Sequence, residues 1–314
     1  MKKTSPIRPP RLAPGDLVAL ISPASPPGSR SLFLRGRRRL EALGLRVAPG
    51  RHALSERAYL AGTDQERLED LEWALLDRDV KAIFCSRGGY GVARFLPEFD
   101  PQMARRHPKA LVGFSDITTL HLALQRAGVV SFWGPMPCVD SGWTPFSLRS
   151  LKRALMSPTP LGLVPFSKGH APATLRAGVA RGPLTGGTLS LLAASLGTWY
   201  EVETEGRIVF LEDVDEEPYR VDRMLTQMVA AGKLADAAGI AIGIFTGAAS
   251  RNCPGRRTFT LQEVLADRLV PLKVPILANV AVGHVSDQVT LPYGVTACLD
   301  ARAKSLEILQ TGVG

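Results

Sequence analysis

The sequence predicts an α/β fold built on parallel β-sheets. Short apolar runs rich in β-forming residues alternate with segments of helical periodicity, which is the pattern of strand–helix–strand units. Three of these runs end in residues with the chemistry of a hydrolytic triad, namely Ser115, Glu212 and His284. Open α/β sheets bind ligands beyond the carboxyl ends of their strands, so the three side chains can meet in one cleft. The pattern therefore indicates a serine hydrolase.

The N-terminal part of the chain alternates strand and helix without interruption. Thr63-Asp-Gln-Glu66 is a capping box, in which the Thr and Glu side chains each bind the other residue's backbone N–H at a helix start. The predicted elements are, in order, a buried strand over Asp16–Ser22, a helix over about 30–43, a helix from Thr63 to about Leu76, a strand over Val80–Cys85, a strand ending at Ser115, a helix from Asp116 to about Arg126 and a short strand over Val129–Trp133.

Residues 138–180 differ in character, because Pro, Gly and Ser recur there around a single helical stretch at Leu148–Met156. We therefore predict an N-terminal α/β domain over residues 1–140, a linker region over 141–180 and a smaller C-terminal α/β domain over 181–314 with extra strands. In the C-terminal domain the predicted elements are, in order, a helix opened by Gly186-Gly187 and extending through Leu196, a strand ending at Glu212, an amphipathic helix over Tyr219–Met228, a strand over Ile240–Phe245, a helix over Leu261–Leu269, and strands over Ile276–Leu309 with a turn at Pro292–Gly294.

Length and composition fit a two-domain protein of the cytoplasm. The chain has 314 residues, of which 45% are hydrophobic, and this is enough for two cores of ordinary size. No apolar stretch approaches the roughly 20 residues that span a bilayer, and the first residues lack the apolar core of a signal peptide. The four cysteines, Cys85, Cys138, Cys253 and Cys298, are dispersed, which indicates neither a zinc site nor a disulfide framework. We expect a soluble cytoplasmic protein that does not bind membranes.

The net charge of +9 raises the question of an acidic partner, and Arg35-Gly-Arg-Arg-Arg39 is the densest basic cluster. These arginines lie in a helical pattern, where a solvated basic face is the usual explanation, and no aromatic residues interleave with them to stack on bases. We therefore expect no nucleic-acid partner. A small anionic substrate accounts better for the charge.

Ser115 is favoured as a nucleophile by its surroundings. A serine held at a sharp turn from strand to helix exposes its Oγ atom, and such a turn needs small neighbours. Gly113 meets that need two residues before Ser115, whereas Ile117 does not meet it two residues after, so only half of the G-x-S-x-G motif is present. The alternative is that Ser115 is an ordinary helix N-cap. If Ser115 is the nucleophile, the backbone amide of Asp116 points toward the oxygen of the attacked carbonyl.

The turn Arg87-Gly-Gly-Tyr-Gly91 follows a strand and can supply further oxyanion contacts through the backbone of Gly88 and Gly89. It lacks the spacing of a nucleotide-binding loop. Four histidines, His52, His107, His121 and His170, lie in predicted loops or helices and are expected to be surface or capping groups. His284 differs because it follows Gly283 at a strand end. His284 or Glu212 alone could be structural, but together with Ser115 they give the chain order of an α/β-hydrolase triad.

These residues carry a resemblance to the LD-carboxypeptidase family, the serine peptidases that trim murein tetrapeptides and that include the microcin C immunity hydrolases. The similarity covers almost the whole chain. Its segments are Pro9–Asp16, Ala61–Asp64, Arg87–Gly91, Gly113–Asp116, Gly134–Met136, Leu211–Asp213, Pro218–Arg223 and Gly283–His284. Thr188 departs from the family pattern, which has Asn at that position.

The resemblance implies an N-terminal domain similar to class I glutamine amidotransferases, a smaller C-terminal α/β domain and an active site between them. It implies that Ser115 is the nucleophile, Glu212 the acid and His284 the base. It also implies a homodimer and a reaction without a metal or other cofactor. A carboxypeptidase must recognise a terminal carboxylate, and the residues near the motifs that could contact it are Arg87, Tyr90, Arg220 and Arg223.

Three functions remain open at this point. The first is hydrolysis of the L,D-peptide bond that releases the terminal D-Ala of murein tetrapeptides, a step of peptidoglycan recycling. The second is hydrolysis of a microcin C-type peptidyl-nucleotide, which would call for an aromatic pocket such as Trp143, Phe146 and Phe166 could form. The third is a non-catalytic peptide-binding module, which the intact Ser115, Glu212 and His284 argue against.

Overall fold

The computed structural model describes residues 6–140, 143–250 and 258–314, which form two compact units. Unit 1 comprises Met1–Pro160, Thr290–Gly294 and Thr311–Gly314, and unit 2 comprises Leu161–Val289 and Val295–Gln310. Each unit contains one β-sheet with helices in the connections, so the predicted mixed α/β architecture is confirmed. Cys253 lies outside the described residues, and the other three cysteines are free thiols.

The elements are numbered in chain order within the described ranges. The strands are β1 (Leu17–Ile21), β2 (Arg46–Pro49), β3 (Val80–Cys85), β4 (Ala110–Gly113), β5 (Phe132–Trp133), β6 (Gly162–Leu163), β7 (Ala173–Arg176), β8 (Val179–Thr188), β9 (Ile208–Glu212), β10 (Gly239–Ile244), β11 (Ile276–Gly283), β12 (Leu291–Pro292), β13 (Thr296–Asp300) and β14 (Ser305–Ile308). The helices are α1 (Arg30–Glu41), α2 (Asp64–Leu76), α3 (Val92–Phe95), α4 (Pro101–Arg106), α5 (Thr118–Arg126), α6 (Pro145–Met156), α7 (Leu189–Ala194), α8 (Pro218–Ala230) and α9 (Leu261–Leu269). Two 3-10 turns cover Ser115–Ile117 and Val270–Leu272.

The sheet of unit 1 has the order β12-β5-β4-β3-β1-β2. The strands from β5 to β2 are all parallel, and β12 adds an antiparallel edge to β5. Strands buried on both faces need continuous apolar sequence, and Val18–Ile21 on β1 and Ala82–Cys85 on β3 are completely buried. Strand β4 lies between β5 and β3, so its carboxyl end is in the interior of the sheet. Ser115 comes two residues after that end.

The sheet of unit 2 has the order β6-β14-β13-β8-β9-β10-β11-β7. Its centre, from β8 to β11, is parallel, while the remaining strands are antiparallel. Every residue of β9 is buried, and Glu212 is its last residue. His284 follows β11, which is separated from β9 only by β10, so both side chains belong to the carboxyl edge of one parallel set.

Local sequence explains where most helices begin. The capping box of Thr63 and Glu66 is present at the start of α2, as predicted. Helix α6 begins at Pro145, three residues earlier than predicted, because the Thr144 side chain accepts a hydrogen bond from the Ser147 N–H and Pro is well suited to a first helical turn. Among the helices of the described ranges, none combines the length and the apolar character needed to cross a bilayer.

Two predictions about residues 162–196 were wrong. The region expected to be a linker contains β6, β7 and the first part of β8, and Gly186-Gly187 belong to β8, with α7 starting only at Leu189. Gly and Pro are poor strand formers, and β8 contains both, including Pro183 in its middle. Long-range pairing overrides this preference, since β8 hydrogen-bonds to β13 on one side and to β9 on the other.

Candidate active site

Ser115 lies in a strained turn at the end of β4. Its φ angle is +62°, in the left-handed region that non-glycine residues rarely adopt. Residues on either side, from Lys109 to Phe114 and from Asp116 to Leu120, are buried, whereas Ser115 is partly exposed. Ser115 is the first residue of the 3-10 turn, whose N-cap position is Phe114, and the N-cap position of α5 is Ile117, so Ser115 is not the N-cap considered as the alternative. The turn presents the Ser115 side chain at the surface.

One glycine is enough for this turn. A Cβ atom on Gly113 would lie 2.9 Å from both Cγ1 and Cγ2 of Ile117, so Ile117 packs directly on Gly113. The Ile117 side chain fills the space over Gly113. The turn therefore accommodates isoleucine at the position where the full motif has its second glycine.

His121 binds the strand that leads into this turn. The prediction that it is a surface or capping group was wrong. His121 is completely buried on α5. Its Nε2 atom donates to the Gly113 carbonyl at 2.9 Å, and its Nδ1 atom accepts from the Ser131 hydroxyl at 2.8 Å. Burial lowers the pKa of His121 to about 4, so the ring is neutral at physiological pH. The sequence signal missed was that His121 lies between apolar residues on both sides, Leu120 and Leu122.

The Gly-rich turn after β3 lies beside Ser115. A Cβ atom on Gly88 would lie 2.8 Å from Cβ and 3.0 Å from Oγ of Ser115, and 3.4 Å from the backbone N of Asp116. Only glycine permits this approach, because a real Cβ atom at such distances would force the neighbours apart. Gly89 has a φ of +110°, and the next residue, Tyr90, donates its backbone N–H to Ser25 Oγ at 3.3 Å.

The Asp116 side chain connects the two segments. It is 1% exposed, and its Oδ2 atom accepts from the Val92 N–H at 2.9 Å, at the end of the Gly-rich turn. Burial raises the pKa of Asp116 to about 6, while the bonds from the Val92 and Gly91 amides and the charge of Arg67 oppose the rise. The residue whose amide was predicted to face the oxyanion therefore also fixes the Gly-rich turn.

Arg67 supports this arrangement and was missed in the sequence. Its side chain is completely buried on α2, where one terminal nitrogen donates at 2.7 Å to the carbonyl oxygens of both Pro23 and Gly91, and the other pairs with Asp64. The sequence signal that could have identified it is helical spacing. Arg67 lies four residues before Leu71, which places both on the buried face of α2. A buried arginine that binds two loop carbonyls fixes the loops that they belong to.

In unit 2, Glu212 and His284 form a buried acid–imidazole pair. His284 Nδ1 donates to Glu212 Oε2 at 2.9 Å, and Glu212 is 0% exposed while the His284 side chain is 20% exposed. Because a carboxylate only accepts, the contact places the ring proton on Nδ1 and leaves the lone pair on Nε2. This is the tautomer that a general base needs.

Burial alone would lower the pKa of His284. The hydrogen bond from the ring to Glu212 and the negative charges of Glu212, Asp213 and Asp215 outweigh that effect, so the pKa of His284 is raised. Its backbone is held as well, since Thr246 Oγ1 donates to the His284 carbonyl at 3.3 Å. The pair can accept a proton and stabilise the resulting imidazolium.

The residues predicted to bind a substrate carboxylate lie in different surroundings. Arg87 and Tyr90 belong to the Gly-rich turn, with Arg87 half-buried and Tyr90 exposed against the ring of Tyr59 at 5.9 Å. On α8, Arg220 is exposed and bonded to the Tyr219 hydroxyl and Glu216, and Arg223 is exposed. Across the described ranges, no group of three or more His, Cys, Asp or Glu side chains is arranged to hold a metal ion.

Comparison with protein families identifies both parts of the chain. The N-terminal domain model of the LD-carboxypeptidase family matches residues 18–134, and its C-terminal domain model matches residues 181–299. The matched segments contain Ser115, Glu212 and His284.

Individual relatives extend the similarity to nearly the full length. A probable murein peptide carboxypeptidase of Bacillus subtilis is 40% identical, over 98% of this chain and 95% of the relative. The crystal structure of a muramoyltetrapeptide carboxypeptidase from Oxalobacter formigenes is 29% identical, with a TM-score of 0.81 over 94% of this chain and 99% of that chain. A structure of MccF in complex with glutamyl sulfamoyl guanosine is 22% identical, with a TM-score of 0.89 over 98% of this chain and 100% of that chain, and it shares the fold.

Proposed function

Because the chain belongs to the LD-carboxypeptidase family, whose members are serine peptidases, we propose that it is a carboxypeptidase that hydrolyses the L,D-peptide bond of murein tetrapeptides and releases the terminal D-Ala. Relatives with murein peptide names support this substrate class. The observation that carries the proposal is the bond of 2.9 Å between the buried Glu212 carboxylate and His284, which leaves Nε2 of a partly exposed imidazole as a base.

The proposed reaction uses Ser115 as the nucleophile. His284 Nε2 takes the hydroxyl proton while Ser115 Oγ forms a bond to the carbonyl carbon of the L-configured residue. Glu212 fixes the ring tautomer and stabilises the imidazolium. The imidazolium then donates its proton to the departing nitrogen of D-Ala as the C–N bond breaks. Water, deprotonated by His284, releases the acyl group from Ser115 in the second half of the cycle.

Backbone amides supply the oxyanion contacts in this proposal. The amide of Asp116 and the amides of Gly88 and Gly89 are the donors, and the position of Gly88 beside Ser115 supports the assignment. Such donors act most strongly when they are fixed in advance. The Asp116 carboxylate and the buried Arg67 guanidinium, which bind the Gly-rich turn, provide that rigidity.

For the terminal carboxylate of the substrate we propose Arg87, assisted by Tyr90, because both belong to the same turn as Gly88. A guanidinium binds a carboxylate through two parallel hydrogen bonds, which suits recognition of a chain end. Arg220 already binds the Tyr219 hydroxyl and Glu216, and Arg223 lies on the same helix, so these two are second choices. We further propose a homodimer that works in the cytoplasm in peptidoglycan recycling, with the nucleophile in unit 1 and the acid and base in unit 2.

The second candidate is hydrolysis of a microcin C-type peptidyl-nucleotide, which the shared fold with MccF favours. Trp143 is one of the three aromatic residues that could form the pocket such a substrate would call for. Its indole N–H donates to the Met136 carbonyl at 2.8 Å, and the Arg39 guanidinium lies over its ring at 5.5 Å from the centroid. Both contacts of Trp143 are within the protein. We therefore prefer the murein peptide as the proposed substrate.

Mass spectrometry of the purified protein with two substrates tests the proposal. L-Ala-γ-D-Glu-diaminopimelate-D-Ala is incubated beside an aminoacyl sulfamoyl adenylate, with the Ser115→Ala variant as the control for contaminating peptidases. Release of D-Ala by the wild type alone is the expected result. Cleavage of the adenylate alone would support the second candidate, and tight tetrapeptide binding without cleavage would support a non-catalytic binding module.

A further inference from the structure

Thr188 makes a contact that the Glu212–His284 pair does not explain. It is the last residue of β8 and lies directly opposite Glu212 in the parallel register of β8 and β9. Its Oγ1 atom donates to Glu212 Oε1 at 2.5 Å, while His284 binds the other oxygen, Oε2. Thr188 is 3% exposed and Glu212 is 0% exposed, so water does not compete for this contact. Each oxygen of the carboxylate therefore has its own donor.

The Thr188 hydroxyl is used in this way although the residue occupies the N-cap position of α7. A threonine at an N-cap ordinarily accepts a hydrogen bond from an amide in the first turn of its helix. Thr188 makes no such capping bond. Instead, the Ser190 N–H in the first turn donates to Asp213 Oδ2 at 2.8 Å. Asp213 thus takes over the capping of α7, and the Thr188 hydroxyl binds Glu212.

Two glycines make the register between Thr188 and Glu212 possible. Gly186 and Gly187 have φ angles of +135° and +131°, which residues with a Cβ atom rarely adopt. A Cβ atom on Gly186 would lie 2.0 Å from the Phe210 carbonyl oxygen, so β8 and β9 approach here more closely than side chains allow. Because the two strands stay paired to their last residues, Thr188 reaches Glu212.

We propose that Thr188 is a positioning residue for catalysis, one that fixes the Glu212 carboxylate so that Oε2 remains aligned with His284 Nδ1. The inference rests on the proposed function, in which Glu212 holds the imidazole that activates Ser115. A carboxylate with one donor can rotate about its terminal bond, whereas a carboxylate with a donor on each oxygen is fixed in its plane. Thr188 thereby sets the direction of the lone pair on Nε2 without touching the substrate.

The test compares Thr188→Val, which replaces the hydroxyl by a methyl group of similar size, with Thr188→Ser, which keeps the hydroxyl. We expect kcat to fall roughly 10- to 100-fold in Thr188→Val, as loss of one hydrogen bond to a charged group predicts, with KM changed less than about 3-fold. Thr188→Ser should restore most of kcat. Thr188→Ala serves as the hydroxyl-free variant if the valine variant does not fold.

Thr185→Val is the matched control, because it removes another buried hydroxyl from the same strand at a position that pairs with Val209. It should leave kcat within about 3-fold of the wild type. In a Glu212→Gln background, Thr188→Val should cause no further loss, since the residue acts only through the Glu212 carboxylate. Equal losses in the wild-type and the Glu212→Gln backgrounds would show a general structural role and overturn the proposal.

The NMR signal of the His284 Nδ1 proton decides the question independently of turnover. It should move in Thr188→Val and stay in place in Thr185→Val and Thr188→Ser. An unchanged signal together with wild-type kcat would overturn the positioning role while leaving the proposed function standing. The remaining outcome is that the wild type cleaves no tetrapeptide while the Nδ1 signal still moves in Thr188→Val. That result would overturn the proposed function and leave the Thr188–Glu212–His284 linkage intact.

Discussion

Protonation of the buried His121 should lower the free energy of unfolding in acid. A variant without a titratable group at this position should not show that decrease. In the folded chain the pKa of His121 is lowered to about 4, against its usual value of 6.5. The unfolded chain therefore binds a proton at a higher pH than the folded chain does. Stability from the neutral ring is fully present above about pH 6.5 and is lost as the pH falls toward about 4.

The size of the effect follows from the two pKa values. Each unit of difference is worth about 1.36 kcal/mol, so the complete loss is roughly 3 kcal/mol, and the part that falls between about pH 7 and about pH 5 is roughly 2 kcal/mol. His121→Gln keeps an amide N–H donor but carries no titratable group. Its cost of altered packing is the same at both pH values and cancels in the comparison.

The assay is urea unfolding of both proteins at these two pH values, followed by tryptophan fluorescence. Three of the four tryptophans, Trp73, Trp133 and Trp143, belong to unit 1, so the emission reports mainly on the unit that contains His121. The free energy of unfolding should drop by about 2 kcal/mol more in the wild type than in His121→Gln on going from about pH 7 to about pH 5. Equal drops in the two proteins would refute the argument that the ring is held neutral.

The remaining predictions concern activity. Ser115→Ala should lower kcat by on the order of 10⁴- to 10⁶-fold, and adding His284→Ala should make little difference, because the two act as a unit; additive losses in steady-state kinetics would contradict this. Asp116→Asn should lower kcat roughly 10-fold without unfolding, since a neutral amide oxygen is a weaker acceptor of the Val92 N–H than the carboxylate; circular dichroism serves as the control, and an unchanged kcat would mean that the charge of Asp116 is not needed to hold the Gly-rich turn. Release of L-Ala from the isomer with an L-configured terminus should be at least about 10²-fold slower than release of D-Ala, and EDTA should have no effect; equal rates would refute the L,D assignment.

Sequence patterns were sufficient where structure depends on neighbours in the chain. The buried strands β1, β3 and β4 follow from continuous apolar runs, and the start of α2 follows from its capping box. The acid–imidazole pair was also foreseeable in part, since Glu212 and His284 each end an apolar run.

Contacts between distant segments were not foreseeable. Strand β8 contains Gly and Pro that weaken a local strand signal, and it forms because β9 and β13 pair with it. The hydrogen bond from Thr188 to Glu212 depends on the register of two strands far apart in sequence, which no local pattern encodes. His121 and Arg67 are polar residues in apolar surroundings, and the carbonyl groups that bind them lie on other elements.

The return of the chain to unit 1 has a consequence for biosynthesis. Strand β12 completes the edge of the unit 1 sheet, Tyr293 donates its backbone N–H to the Ser131 carbonyl at 2.8 Å, and its ring stacks on His121 at 4.6 Å. A ribosome makes these residues only after it has synthesised the segment Leu161–Val289 of unit 2. Until then, the β5 edge has unpaired N–H and C=O groups, which are a template for association with other chains. A chaperone would therefore be most useful during the stage of synthesis at which the N-terminal half is complete but β12 has not yet been made.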